Sequence, residues 1–258
     1  VLLTLLEKQV EFTRRVINLG AGENTQPWFI KINPLGVVPV LKDGDNVVCD
    51  SEVIIDYIEQ NIESGNKLIP EISTPEFQAA DKLRKMIHGV NYQTISFGLA
   101  VHPSLSVTGS RFAGGMGPEA FKMSINRQKE ELRTKMKDNP DMKDDYQAKL
   151  GVKEELEQRL SDVNKVKAAL NLCDDVMNEA ETALKKYKDD GIKDSWLVGQ
   201  DFTVADVVFT ILLHRSEILG LSARFYPEEK KPYLYDYVQR LMARPSVKKM
   251  LDIEGGVA

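Results

Sequence analysis

Three short stretches combine residue types and spacings suited to recognising a ligand. The first is Asn33-Pro34-Leu35-Gly36-Val37-Val38-Pro39-Val40-Leu41. Turn-forming residues lead into an apolar run that Pro39 interrupts. Proline has no N–H for a sheet ladder, so it belongs at a strand start or an edge. If the Val38–Pro39 bond is cis, the Val38 N–H and C=O face outward, free to pair with an extended peptide; an ordinary turn and edge strand fits the same residues. The second is Cys49-Asp50-Ser51-Glu52-Val53-Ile54, where a strand ends and a helix starts at Ser51. The first turn of a helix leaves N–H groups unpaired and carries the positive end of the dipole. A carboxylate would be held there by the Ser51 N–H and hydroxyl, with Asp50 facing a ligand ammonium group; alternatively, Asp50 or Ser51 simply caps the helix. The third is Phe202-Thr203-Val204-Ala205-Asp206, followed by an apolar run. Thr203 and Asp206 have the N-cap and N3 spacing of a capping box, with Asp in place of Glu. That box is a folding signal and carries no catalysis.

Other chemistry-bearing residues give weaker signals. His88, His102 and His214 are far apart and lack metal-ligand spacing, so no metal site is expected. Tyr92, Phe97 and His102 are candidates to line a pocket for an apolar co-substrate, with core packing as the competing role. Cys49 and Cys173 cannot form a disulfide framework, which favours a reducing compartment, and Cys49 reads as a buried strand thiol. Met116 to Met123, beside Gly114-Gly115 and Gly117-Pro118, reads as a loop.

The elements that must position these residues fall into two parts. Val1 to Gln9 reads as an amphipathic helix and Glu11 to Leu19 as a short strand, through Phe12, Val16 and Ile17. Pro27 to Ile32 reads as one or two helical turns opened by proline. Val37 to Leu41 and Asn46 to Cys49 read as a hairpin turning at Asp43-Gly44, and a helix opens at Asp50-Ser51. After a connector around Ile69-Pro70 almost no strand signal remains. The expected division is therefore a mixed α/β domain over 1–70 and an all-α domain over 71–258. Residues 126–190 hold 14 basic and 16 acidic side chains, with a break at Asn139-Pro140. Beyond it Leu156, Leu160, Val163, Val166, Leu170, Cys173, Met177, Ala180, Leu184 and Tyr187 recur every three or four residues, predicting one helix of more than about 30 residues. Its apolar stripe suits core packing or a coiled-coil partner.

Composition bounds the function. The chain has 258 residues, 42% of them hydrophobic, and a net charge of −5. This is an ordinary soluble-domain composition, unlike that of a disordered or fibrous chain. Interleaved charges lack the clustered basic surface of a nucleic-acid binder. The longest run without charge, Met86 to Ser110, holds too many polar groups for a lipid-facing span and fits a buried helix running into a loop.

Taken together, the Asn-Pro-x-Gly-x-Val-Pro-x-Leu stretch, the acidic-Ser pair opening a helix and the Thr-x-x-Asp box resemble the glutathione transferase family over nearly the whole chain. The resemblance implies an α/β plus all-α architecture, with a thioredoxin-like domain that binds glutathione. The Val38 backbone beside Pro39 would hold its cysteinyl part, and Asp50 and Ser51 its γ-glutamyl part. It also implies that the family's first strand and its catalytic Tyr, Ser or Cys lie N-terminal to Val1, leaving the catalytic residue unknown. Gln26-Pro27-Trp28-Phe29, Val101-His102-Pro103-Ser104-Leu105, Leu213-His214-Arg215 and the charged insertion over about 109–160 resemble the ganglioside-induced differentiation-associated branch of that family. That branch implies a homodimer at the cytosolic face of the mitochondrial outer membrane, acting in organelle dynamics or redox sensing. Cytoskeletal or mitochondrial-fission proteins would meet the charged helices, and a membrane anchor would follow Ala258. Two other readings stand beside it: a cytoplasmic transferase conjugating glutathione to small electrophiles, and an interaction module with an empty glutathione pocket.

Overall fold

Leucines at positions 2, 3, 5 and 6 make the opening segment helical in the computed structural model, which describes residues 1–255. Helix α1 spans Leu2–Glu7 and buries Leu3 and Leu5. Residues 11–19 form no strand, contrary to the alternation of Phe12, Val16 and Ile17. A strand exists through its ladder, and this segment pairs with no other among the described residues. Phe12, Val16 and Leu19 are accordingly exposed. A 3₁₀ turn at Glu23–Thr25 leads into α2 (Pro27–Ile32), whose first position is the proline that needs no N–H partner there. Strands β1 (Val40–Asp43) and β2 (Asn46–Cys49) pair antiparallel with Val40 opposite Cys49 and Asp43 opposite Asn46. The intervening two-residue loop uses Gly44 at φ +58°, a conformation open to glycine without penalty. β1 starts three residues later than the apolar run suggests, because Pro39 cannot donate to the ladder. Helix α3 (Ser51–Asn61) follows β2 and buries Ile54, Ile55 and Ile58.

The remainder is helical: α4 (Pro75–His88), α5 (Tyr92–Val101), α6 (Pro118–Asp138), α7 (Lys143–Ser161), α8 (Val163–Asp189), α9 (Val204–Ile218), α10 (Ser222–Phe225), α11 (Pro232–Ala243) and α12 (Pro245–Gly255). The stripe expected on a single helix is divided between α7 and α8. At Asp162 the backbone turns extended (φ −93°, ψ 103°) and the carboxylate accepts from the Asn164 N–H at 2.9 Å, capping α8. Leu156 and Leu160 on α7 still join Val166, Leu170, Cys173, Met177, Ala180 and Leu184 in the main core. Close approach of α5 to α8 requires Gly98, since a Cβ there would meet Val166 at 2.6 Å. The stretch from Met116 to Met123 is a loop only as far as Gly117. Pro118 then opens α6.

Asn139 and Pro140 break the charged section as the sequence indicates, and α6 and α7 fold back on each other as a hairpin. Lys129–Glu157 at 2.6 Å and Arg133–Glu154 at 3.6 Å bridge the two helices. A separate apolar cluster of Leu132, Met142, Tyr146 and Leu150 closes around Ile30 of α2. The hairpin is therefore bound to the first domain. Among the described residues no helix is long and apolar enough to cross a membrane.

Two buried carboxylates organise the far side. Asp206 closes a capping box with Thr203, accepting from the Thr203 N–H at 2.8 Å. It also accepts from the Leu197 N–H at 3.0 Å and the Tyr237 hydroxyl at 2.8 Å. Burial raises its pKa, offset in part by these donors. Glu7, with its side chain 2% exposed, receives Arg244 through Nε at 2.6 Å and Nη2 at 2.7 Å, with Asn66 at 2.6 Å and the Ser246 hydroxyl alongside. Burial works to raise the Glu7 pKa, but the hydrogen bonds and the Arg244 charge outweigh it, and the net shift is downward. A depressed carboxylate pKa contributes stability above the unfolded value, about 4.3, that is lost as pH falls through the folded value. Glu7→Gln should cost about 3–5 kcal/mol at neutral pH by stranding Arg244, and should flatten the acid limb of stability below about pH 4.3. Urea melts from pH 7 to pH 3 measure both effects.

Candidate functional site

The hairpin register defines the site. Val38 and Ser51 each lie two residues beyond the Val40–Cys49 pair, at the same end of the hairpin. The Val38–Pro39 bond is cis. Val38 is 40% exposed, and its N–H and C=O have no hydrogen-bond partner among the described residues. One donor and one acceptor of an extended backbone are thus left for something else to pair with.

The loop before Val38 is fixed by asparagines. Asn33 is buried; its Oδ1 accepts from the Leu35 N–H at 3.1 Å and its Nδ2 donates to the Val37 carbonyl at 2.9 Å. Asn24 donates to the Gly36 carbonyl at 2.7 Å, while Gly36 itself adopts φ +55°. From the hairpin, Lys149 donates to the Leu35 and Gly36 carbonyls at 2.7 and 3.2 Å. Burial, with Lys153 and Lys135 nearby, pushes the Lys149 ammonium down to about 8.

At the other side, Asp50 sits at φ +76° and uses Oδ1 to accept from the Glu52 N–H at 2.8 Å and the Val53 N–H at 3.4 Å. It is the cap of α3, and the Ser51 N–H and hydroxyl remain without a partner among the described residues. The dipole end of an 11-residue helix and a free hydroxyl thus lie at the same end of the hairpin as the free backbone of Val38. Arg84 of α4 anchors this helix start. It pairs with the Glu52 carboxylate, donates to the Glu52 carbonyl at 3.0 Å and reaches Asp56 at 2.6 Å. Burial opposes its charge, but Asp56 and Glu52 prevail and raise its pKa.

Tyr92, Phe97 and His102 are all carried by α5 or its C-cap, and each has packing or hydrogen-bond partners of its own. Tyr92, at the start of α5, is close to Cys173, Arg215 and Glu52, and burial raises its pKa. Phe97 stacks with Phe112 and Phe121 at 5.1 and 5.5 Å. His102 is tied through Nε2 to the Leu160 carbonyl at 2.8 Å, a bond between α5 and the end of α7. Cys173 is buried and its thiol is pushed up to about 12, chiefly by desolvation, whereas Cys49 is half-buried on β2. His214 lies 3.7 Å from Glu254, but burial holds its pKa below the ordinary value. Arg84 and Lys149 carry no local motif. Only their distant partners give them a role.

A thioredoxin-like unit with a cis-proline strip beside a serine-opened helix, joined to a helical domain with a buried Thr-x-x-Asp box, defines a glutathione-transferase-type protein. Residues 1–61 match the model of the glutathione S-transferase N-terminal domain and residues 130–245 that of the C-terminal domain, and the chain belongs to that family. Ganglioside-induced differentiation-associated protein 1-like 1 of Mus musculus is 28% identical over 255 residues, covering 96% of this chain and 68% of that one. Among solved structures, the beta-etherase LigF from Sphingobium sp. strain SYK-6 superposes with a TM-score of 0.65 at 24% identity, covering 97% of this chain and 92% of that one. The glutathione transferase URE2P6 from Phanerochaete chrysosporium, solved with oxidized glutathione, does so with a TM-score of 0.61 at 18% identity, covering the whole of this chain and 91% of that one.

The loop geometry yields a direct test. Asn33→Ala removes the two hydrogen bonds that a buried side chain makes to the Leu35 N–H and the Val37 carbonyl, and at about 0.5–1.5 kcal/mol each should cost about 1–3 kcal/mol. The loss is read as a fall in the midpoint of denaturant unfolding with an unchanged slope.

Proposed function

We propose that this protein binds glutathione across Val38 and Ser51. The extended tripeptide pairs its cysteinyl N–H and C=O with the free Val38 backbone. Its γ-glutamyl carboxylate accepts from the Ser51 N–H and hydroxyl at the positive end of α3. Asp50, committed to capping through one oxygen, keeps Oδ2 for the ligand's ammonium group. The observation that carries this reading is that the unpaired Val38 backbone and the unpaired Ser51 N–H and hydroxyl lie at the same end of the hairpin.

Within the family, the reading is a protein of the ganglioside-induced differentiation-associated type, acting as a homodimer at the mitochondrial outer membrane in organelle dynamics or redox sensing. Similarity to the mouse 1-like 1 protein along almost the whole chain supports that placement, as does the charged α6–α7 hairpin between α5 and α8. Glutathione then serves as ligand or substrate, and no metal takes part.

Calorimetric titration tests the binding claim. Ser51→Ala removes one charge-assisted hydrogen bond, worth about 1.5–3 kcal/mol, and should weaken glutathione binding roughly ten- to hundredfold. Unchanged affinity in that variant would show that the γ-glutamyl end lies elsewhere.

A further inference from the structure

The inner face of the α6–α7 hairpin carries three lysines: Lys135 on α6, and Lys149 and Lys153 one turn apart on α7. Lys149 covers the Leu35 and Gly36 carbonyls, and Lys135 reaches the Thr25 hydroxyl and, at 3.5 Å, the Gly22 carbonyl. Tyr146 donates to the Thr25 carbonyl at 3.1 Å and holds the hairpin in place. Other cations of the same hairpin are paired with acids, as Lys129 is with Glu157 and Arg133 with Glu154. None of these three lysines has a carboxylate within ion-pair distance among the described residues, and Lys153 makes no hydrogen bond to another side chain or to the backbone there. Burial lowers the pKa of each; like charge adds to this at Lys149, while Glu131 opposes it at Lys135.

Half-buried ammonium groups without an ion-pair partner are costly, and at Lys149 the two carbonyl dipoles do not replace a counterion. Their position gives that cost a use. Gly36 precedes Val38 by two residues, so their Cα atoms are at most about 7.6 Å apart. The chain upstream of Val38 leads away from the hairpin end of β1 and under Lys149. A tripeptide whose γ-glutamyl end is at Ser51 and whose middle is at Val38 has only its C-terminal carboxylate left to place, within about one residue, roughly 3.5 Å, of Val38.

The geometry points to Lys149 and Lys153 as the cations that receive the glycyl carboxylate of glutathione, which makes the inserted hairpin part of the ligand site and a determinant of which thiols this protein accepts. This rests on the glutathione reading above. The hairpin then closes one end of a site whose other end is the first turn of α3. Ligands lacking the C-terminal carboxylate lose the Lys149–Lys153 contact and keep the rest.

Calorimetry with glutathione and with its glycyl monoethyl ester, on the full chain and its variants, tests the assignment. Wild type should prefer the acid over the ester by about tenfold, the worth of one charge-assisted contact. Lys153→Gln, at a residue without a structural hydrogen bond, should weaken glutathione binding severalfold, leave the ester within about twofold, and so collapse the preference. Lys149→Gln should do the same, and Lys149→Arg should retain the preference. Should Lys149→Gln fail to fold, Lys153→Gln carries the test alone, with its thermal midpoint matching wild type. An acid-over-ester preference that survives Lys153→Gln overturns the lysine assignment and leaves glutathione binding standing. Absence of any heat with glutathione removes both.

Discussion

A carboxylate closed off from water, Glu7, joins the two halves of this molecule. It ends α1, yet its donors come from the connector after α3 and from the junction of the last two helices: Asn66, Arg244 and Ser246. A buried carboxylate is tolerable only when paired and hydrogen-bonded, so α1 can seat fully only when those distant segments arrive. The Asn66 N–H to the Glu7 carbonyl and the Ser64 hydroxyl to the Lys8 carbonyl bind the connector to the same spot. Arg244 in turn lies over the Phe202 ring at 4.0 Å and the Trp196 ring at 5.1 Å, beside the Asp206 capping box. One chain of contacts thus runs from the first helix to the helical core.

The candidate site depends on that chain. α1 packs Leu5 against Ile54 and Ile58 of α3, and α3 presents Ser51. Arg84 ties the same helix start to α4. On the opposite side Tyr146 and Lys149 of the α6–α7 hairpin hold the loops that precede Val38. The free backbone of Val38 and the free Ser51 N–H and hydroxyl are therefore held between these two supports.

Much of this was legible in the sequence because its causes are local. Asp-Gly between alternating residues marks the hairpin, proline marks where β1 cannot begin, and the Thr203–Asp206 spacing marks the cap. The local features around Val38, Asp50 and Ser51 are visible for the same reason: a proline-interrupted strand and a strand-to-helix switch are short-range patterns. Where reasoning from pattern failed, the missing cause was elsewhere in the chain. Alternation over 11–19 says nothing about whether a neighbouring strand exists, and the apolar stripe through Asp162 has the same period in one helix or two. Arg84 lies 32 residues from Glu52, and Lys149 lies 113 from Gly36. Such contacts belong to the fold and leave no signature at either end. The α6–α7 hairpin leans on the loop before Val38 through Lys149, a contact that no local pattern announces.

The central claim is geometric: a tripeptide lies along Val38 with one end on Ser51 and the other under the hairpin lysines. A crystal structure of the protein grown with glutathione tests it most directly. Two backbone hydrogen bonds are expected between the cysteinyl residue and Val38, with the γ-glutamyl carboxylate within about 3 Å of the Ser51 N–H and hydroxyl and the glycyl carboxylate facing Lys149 and Lys153. Glutathione bound at any other surface, with the Val38 backbone still unpaired, would contradict it.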